Sequence, residues 1–426
     1  MSVVLSHPSV APFVQHAARA LWEAGLLDRF FTTLVNDERS FWQNAGAQAA
    51  RLVGRDLRAQ LRRRAVTGLP PEIVTTLPFT ELVRLGSGPL DRSGRLTDRI
   101  WSWAEPAFDR RVARRLPQTA RAVYCFEYCA LATFRAARTR GLATVYDAPS
   151  PDPAYVRGVV DREVERFPVL DTPYHRHTRQ REAPRLARRR EERDLADILI
   201  AASTLTRDTY VAAGFPVERV RVVPYGAPPT APREVALSGG SCGAGKLRLL
   251  WAGTFSIRKG AHYVLEAWRR GALGRQAMLK VHGTVGLPDA LLHPVPEGIE
   301  FGGSIPRDRL AQAYHEADAL LFPTLCDGFG MVATEAWSHG LPVITTKQAG
   351  AADFLRDREN GLLIEAGQPE AIAGAVHWCL GHRSELAAMR EPSLATAARW
   401  QWADYRRALA QAVRPLLDRS AGDARN

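Results

Sequence analysis

"DALLFPTLCDGFGMVATEAWSHGLPVITT" (residues 318–346) holds an apolar run, a glycine-rich turn, an alanine-rich run and a second apolar run in succession. "DALLFPT" reads as a buried strand, "MVATEAWSHG" as a helix and "LPVITT" as the next strand. Strand–helix alternation with apolar strands predicts a parallel sheet covered on both faces. The turn at 327–330 then falls at the carboxyl edge, where open α/β sheets bind ligands. Gly328 and Gly330 have no Cβ, so a ligand can approach the backbone closely there. The helix that follows offers unpaired amides and a positive dipole end, a site suited to a diphosphate. Asp327, before the helix, is placed to touch hydroxyls of whatever the diphosphate carries. Glu335, about one and a half turns in, is suited to accept hydrogen bonds from ribose hydroxyls.

The same alternation runs outward from this stretch over the whole second half. "KLRLLWAG", "AMLKVHG", "GIEFGG" and "GLLIEAG" read as strands. "AHYVLEAWRR", "RDRLAQAYHEA" and "PEAIAGAVHWCL" read as helices. "WAGTFSIRKG" (251–260) is a second strand, loop and helix start, and it carries Arg258 and Lys259. Adjacent cations at a helix N-terminus oppose the dipole, so they point to an anion held between them and the 327–330 turn. Gly283, after "AMLKVH", is a further place where a nucleotide can approach the backbone.

The first half repeats the logic more loosely, with strands in "SVVLS", "RFFTTLV", "AVYCFEY", "LATVYDA" and "DILIAAS". Residues 40–120 are arginine-rich and helical in places, as in "DLRAQLRRRA". Residues 171–193 read as a solvated, charge-laced stretch that becomes a helix. "RVRVVPYGAPPTAPREVALSGGSCGAGK" (219–246) turns from strand to a Pro/Gly/Ser-rich joint, as linkers do. The expected division is 1–224, 225–398 and a terminal helix, 399–426, packing back toward the first domain.

Composition narrows the function classes. The chain has 426 residues, 46% hydrophobic and 24% charged, ordinary values for a globular protein. No run of about 18 apolar residues occurs, so no spanning helix is expected. The first residues lack the basic and apolar regions of a secretory leader, so a cytoplasmic location is expected. Five scattered cysteines argue for buried free thiols rather than a disulfide framework. The net charge of +12 is uneven: residues 1–220 hold 34 arginines and no lysine against 25 carboxylates, a net of +9. Such a bias suits nucleic acid, an anionic membrane or a phosphorylated acceptor, unless it reflects coding bias alone. His7, His16 and Glu127 lie near the edge expected to face a cleft and are candidates for acceptor contact. His175 and His177 form an HxH within an arginine-rich run, a weak metal signal.

"WAGTFSIRKGAHYVLEAW" together with "LFPTLCDGFGMVATEAWSHGLPVIT" resembles the family-4 retaining glycosyltransferases, the glycosyl transferases group 1 type. "VERVRVVPYGAP" and "GIEFGGSIPRDRLAQAYHEADALLFPT" fall in the same order and spacing. The resemblance is strong over roughly residues 200–370 and weaker before. It implies the GT-B fold, two Rossmann-like α/β domains facing each other across a cleft. It also implies transfer of a sugar from a nucleoside diphosphate sugar to a hydroxyl acceptor on a glycan, lipid-linked saccharide or small molecule, with anomeric configuration retained. Lys259 and Arg258 correspond to the diphosphate site. Gly328, Phe329, Gly330 and Met331 match the turn facing diphosphate and sugar. Asp327 stands where the sugar-contacting acid, usually Glu, is found, and Glu335 matches the ribose-binding acid. No metal and no cofactor are implied, the nucleotide sugar being a substrate, and no nucleic-acid partner. Peripheral contact with the inner face of an anionic membrane is compatible with the basic first half. The chain departs from the pattern at Asp327, at Thr254 where Arg is common, and at Asp147 where a sugar-facing His is common. These departures leave a catalytically degenerate relative, or an arginine-rich nucleic-acid or membrane binder, as the alternatives.

Overall fold

In the computed structural model, residues 2–36, 61, 64–87, 91, 94–240 and 245–423 are described. The candidate helix at 56–65 and Cys242 fall largely or wholly outside them. Among these described residues thirteen parallel strands form two separate sheets. The first holds β1 (Val3–Ser6), β2 (Leu27–Thr32), β3 (Val74–Thr76), β4 (Ala122–Phe126), β5 (Ala143–Ala148), β6 (Ile198–Ala201) and β7 (Val220–Val222) in the order 3-2-1-4-5-6-7. The second holds β8 (Leu247–Ala252), β9 (Ala277–His282), β10 (Ile299–Gly303), β11 (Ala319–Phe322), β12 (Val343–Thr346) and β13 (Gly361–Ile364) in the order 10-9-8-11-12-13. β1, β4, β6 and β11 are buried at every position. Helices therefore cover both faces, which is why these strands are apolar throughout rather than alternating. Each sheet reverses its order once, between β1 and β4 and between β8 and β11. The loops leaving those strands flank the crevice where such folds take ligands.

Seven of the helices position the site. They are α1 (Pro12–Glu23), α2 (Pro153–Arg166), α3 (Thr204–Ala212), α4 (Ala261–Gly271), α5 (Arg307–Glu316), α6 (Met331–Ser338) and α7 (Trp402–Asp423). α7 returns to the first domain. Its Tyr405, Leu409 and Val413 are buried in one cluster with β1 and α1. The Trp402 ring stacks on His16 with centroids 4.1 Å apart, and Arg406 pairs with Glu23 at 2.7 Å. Residues 220–222 run in the first sheet and 247–252 in the second, so the chain passes between sheets inside the Pro/Gly/Ser-rich joint.

The stretch 171–193 is not merely a solvated surface. It forms two helices, Pro173–Gln180 and Glu182–Asp194, whose cations reach buried acids. Arg185 and His177 converge on Asp98 at 2.8 and 3.2 Å, and Arg188 bridges Asp109 and Glu192 at 3.1 and 3.0 Å. His175 sits 3.8 Å from Asp161, so the two histidines of the HxH have separate carboxylate partners. Among the described residues no cluster of His, Cys, Asp and Glu is arranged to hold a metal ion. Cys125, Cys129, Cys326 and Cys379 are buried free thiols.

Candidate active site

Two loops at the carboxyl edge of the second sheet touch along their length. The β8 loop turns at Gly253 (φ +105°), makes a single 3-10 turn at Ile257–Lys259, and enters α4 through Gly260 (φ +76°). A Cβ at Gly260 would lie 2.3 Å from the Pro323 carbonyl oxygen, so only glycine permits this approach to the β11 loop. Arg258 Nη1 donates to the Cys326 carbonyl at 2.6 Å, and the Leu325 amide donates back to the Arg258 carbonyl at 3.0 Å. Arg258 and Lys259 thus stand in the 3-10 turn before the helix rather than in the helix's own first turn. Arg258 is also less free for a diphosphate than its sequence position suggested.

The four charged candidates form one group. Arg258 lies 3.4 Å from Asp327. The Lys259 ammonium lies 5.4 Å from the centre of the Phe322 ring, the last residue of β11. Burial pushes Lys259 below the usual lysine range, against the upward pull of Asp327 and Glu335, with Arg258 pushing the same way as burial. Glu335, in the second turn of α6, is raised by burial, opposed by a hydrogen bond from Tyr314 and by the charges of Arg307 and Lys259. Tyr314 Oη donates to Glu335 at 3.0 Å. Tyr314 and Arg307, both on α5, were not singled out in the sequence. Nothing in their local pattern shows that α5 crosses beside α6.

The Gly328–Met331 turn is shaped by protein contacts. Ser203 and Thr206, at the start of α3 in the first domain, donate to the Gly328 carbonyl at 2.6 and 3.2 Å. A Cβ at Gly328 would lie 2.1 Å from the Pro149 carbonyl oxygen. Phe329 is buried between the domains, edge-on to Tyr225 at 5.5 Å, and Met331 packs against the same cluster. The Gly328 requirement is therefore met by the first domain's backbone, not by a ligand. The Phe329 ring likewise belongs to the domain contact. Further bonds cross beside it, from Tyr155 to Gln348 at 3.0 Å and from the Thr204 amide to Asp353 at 2.9 Å.

Asp147 does not join the group. It is 1% exposed, accepts a hydrogen bond from Tyr124, and is raised to about 7 by burial. Its carboxylate faces a tyrosine of the neighbouring strand. Gly283 (φ +148°) lines the interdomain cleft, and a Cβ there would lie 2.1 Å from the Gly253 carbonyl oxygen, so the close passage of two loops also demands glycine. The Thr254 hydroxyl meets that of Thr284 at 3.2 Å. His7 bonds the Ser9 carbonyl at 2.8 Å, while burial lowers it to about 4. His16 is likewise lowered to about 4 and lines the cleft. Glu127 is buried and raised to about 7, with Oε2 unbonded among the described residues. The cleft, about 1230 Å³, is walled by His282, Gly283 and residues 304–307 of the second domain and by residues 9–12 of the first. Its edge residue Arg307 is the link to the Lys259–Glu335 group.

Comparison with known proteins fits this geometry. The family described as "Glycosyl transferases group 1" matches residues 246–382, which span both loops. Residues 246–382 are thus similar to the group 1 glycosyltransferases. A D-inositol 3-phosphate glycosyltransferase of Acidothermus cellulolyticus is 28% identical over 237 residues, 49% of this chain and 52% of that one. One from Nocardia farcinica is 34% identical over 121 residues, 27% of each. The matches thus span about half or less of these relatives' length. Over the whole chain the fold is shared with Anabaena Alr3699/HepE solved with UDP (TM-score 0.60, 15% identity, 97% and 100% of the two chains). It is also shared with sucrose-phosphate synthase from Thermosynechococcus elongatus (TM-score 0.65, 16% identity, 98% and 99%). The chain therefore carries the GT-B arrangement of two Rossmann-like domains. Among its described residues no helix is long and apolar enough to cross a membrane.

Proposed function

We propose that the chain transfers a sugar from a nucleoside diphosphate sugar to a hydroxyl acceptor, retaining the anomeric configuration and using no metal. The convergence of Arg258 and Lys259 on Asp327 and Glu335, at the carboxyl edge beside a helix start, carries this reading. In it the donor diphosphate lies between the 257–260 turn and the start of α6. The bond between the sugar C1 and the β-phosphate oxygen breaks, and the acceptor oxygen bonds C1 on the same face as its proton passes to the departing phosphate oxygen. Lys259, Arg258 and the α6 dipole neutralise charge developing on the leaving phosphate, an effect worth several kcal/mol in a water-poor site. Glu335, oriented by Tyr314, accepts from the ribose, and Asp327 contacts the sugar. Because Anabaena HepE was solved with UDP, uridine is the base to try first.

The arginine-rich alternative is weakened by where the arginines go. Arg185 and Arg188 are tied to Asp98, Asp109 and Glu192 inside the fold, so these two serve the fold itself. The test is thermal stabilisation by UDP, GDP and ADP, followed by incubation with the matching hexose donor and NMR of the product. A nucleoside diphosphate at about 100 times its dissociation constant should add about 2.7 kcal/mol of stability. No shift with any of the three, or a product of inverted anomeric configuration, would overturn the donor or the stereochemical part respectively.

A further inference from the structure

α2 lies between β5 and β6 in the chain, yet one of its faces is built into the second domain. Its Val159 and Val164, with Leu170 just beyond it, are at most 7% exposed in a cluster whose other buried members all come from residues 247–389. Ile257, in the 3-10 turn before α4, packs against the same cluster. The opposite face is held by the first domain. Asp161 sits 3.8 Å from His175, and Asp152, the cap of α2, lies 3.9 Å from Arg193. The Asp152 amide donates to the Thr209 hydroxyl at 3.0 Å. α2 is thus a strut between the domains, and Glu163 stands in its last turn. One carboxylate oxygen, Oε2, accepts from His262 Nε2 at 2.9 Å and from Tyr263 Oη at 2.7 Å. Arg166 donates to the same tyrosine hydroxyl at 3.0 Å. Burial alone would raise Glu163. The bonds from His262 and Tyr263 and the fields of His262 and Arg166 outweigh it and hold the carboxyl below its usual range.

His262 and Tyr263 are the second and third residues of α4, just past Lys259 and Gly260. The Tyr263 amide donates to the Gly260 carbonyl and the Lys259 amide to the Ser256 carbonyl, both at 3.1 Å, so the turn and the helix start are one piece of backbone. Both rings are buried, at 5% and 1% exposure. His262 Nδ1 is buried with no hydrogen-bond partner among the described residues, so among them the polar hold on this ring comes from Glu163. A cation that is already in place binds a diphosphate better than a loose one, because a loose one must be ordered at the donor's expense. Resting on the sugar-transfer reading, we propose that Glu163 is a positioning residue: from α2 of the first domain it fixes, through His262 and Tyr263, the 257–260 turn that presents Lys259 to the donor diphosphate. Glu163 itself touches no reacting atom. Donor affinity then depends on an element that the first domain carries.

The test compares Glu163→Ala and Glu163→Gln with the parent in the full chain, with exposed Glu165→Ala on the same helix as the control. A glutamine with its amide oxygen in the place of Oε2 accepts both bonds, whereas alanine accepts neither. The nucleotide probe is UDP, GDP or ADP, whichever stabilises the parent. Glu163→Ala should raise its dissociation constant and the donor KM roughly tenfold with kcat within about twofold of the parent, since the ordering cost falls on binding. Glu163→Gln should recover most of that loss, and Glu165→Ala should match the parent. In the nucleotide-free chain, hydrogen exchange read by mass spectrometry should quicken roughly tenfold at the amides of residues 259–264 in Glu163→Ala and not in Glu163→Gln. Tyr263→Phe, which removes one of the two bonds and keeps the ring, supplies the same comparison if Glu163→Ala does not fold. The proposal fails if Glu163→Ala keeps the parent's KM, if kcat falls in place of a rise in KM, or if glutamine does no better than alanine. Unchanged exchange at 259–264 also overturns it. A parent chain indifferent to UDP, GDP and ADP removes the sugar-transfer reading, and the exchange comparison then still decides whether Glu163 orders the turn.

Discussion

Replacing Lys259 by methionine separates catalysis from stability. Methionine keeps the aliphatic stem against Phe322 and removes the charge beside Asp327 and Glu335. In the nucleotide-free protein that ammonium is held where burial penalises it, and Asp327 already has Arg258 at 3.4 Å. Losing the charge should therefore leave the melting temperature unchanged or slightly raised, since burying an incompletely paired charge costs free energy. With substrate bound the balance reverses. Removing one preorganised donor from a developing oxyanion typically costs about 3 kcal/mol, which at 1.36 kcal/mol per decade is roughly a 150-fold loss in kcat/KM. Both quantities come from one protein preparation, by differential scanning fluorimetry without nucleotide and by nucleoside diphosphate release with donor and acceptor. A loss below about fivefold together with a fall of several degrees would mean that Lys259 is a structural counter-ion to Asp327 and Glu335. That result would refute the assignment to the leaving group.

Tyr314→Phe removes the hydrogen bond that orients Glu335. It should raise the KM for the donor several-fold with little change in kcat, because ribose binding is uniform between ground and transition states. Ser203→Ala deletes both the bond to the buried Gly328 carbonyl and the cap of α3, and should lower stability by about 1–3 kcal/mol in urea melts. Gly328→Ala drives a methyl into the Pro149 carbonyl and should cost about 1–3 kcal/mol and part the domains, seen as a larger radius by small-angle scattering. Asp147, lifted from 3.8 to about 7, binds a proton in the folded chain that the unfolded chain has already lost. Its contribution is therefore full below pH 4 and declines as pH rises toward 7, by an amount on the order of a few kcal/mol. Asp147→Asn should remove that decline, so the parent-minus-variant stability difference should fall as pH rises across that window, and a flat difference would refute the raised titration of Asp147.

Much of the architecture was written in local pattern. Continuous apolar runs mark β1, β4, β5, β6, β11 and β12, because strands buried on both faces need no alternation, and a closing glycine marks the runs of β8, β9, β10 and β13. β3 escaped notice: its three residues, Val74–Thr76, are partly exposed at the sheet's edge and too short for any period to show. The ion-paired helices at 173–194 looked like solvated chain for a related reason. Their burial rests on carboxylates at Asp98 and Asp109, far off in sequence, instead of on an apolar stripe. Asp147 turns toward Tyr124 because the last residues of a strand point alternately to opposite sides. Which side holds a partner depends on register, and here β5 is set so that Phe126 stands opposite Asp147, which brings Tyr124 within reach.

The glycines at 328 and 330 show why a motif can be legible while its physical reason is not. Sequence reading explained them by the approach of a ligand. In the folded chain, a side chain at Gly328 would collide with Pro149 of the other domain, and one at Gly330 (φ +83°) with the Phe322 ring. The turn's carbonyl side is bonded by Ser203 and Thr206, while the charged group lies toward Lys259. One turn thus senses both domains at once. If the domains separate to admit substrate, the Gly328 carbonyl loses two hydroxyl donors as the α6 start is released. Domain closure and completion of the diphosphate site are then a single event. Conditions or substitutions that weaken the Ser203 contact should lower nucleotide affinity even though Ser203 reaches the proposed donor site only through the Gly328 carbonyl. A Ser203→Ala variant that loses stability yet binds nucleoside diphosphate as tightly as the parent would show the two events to be independent.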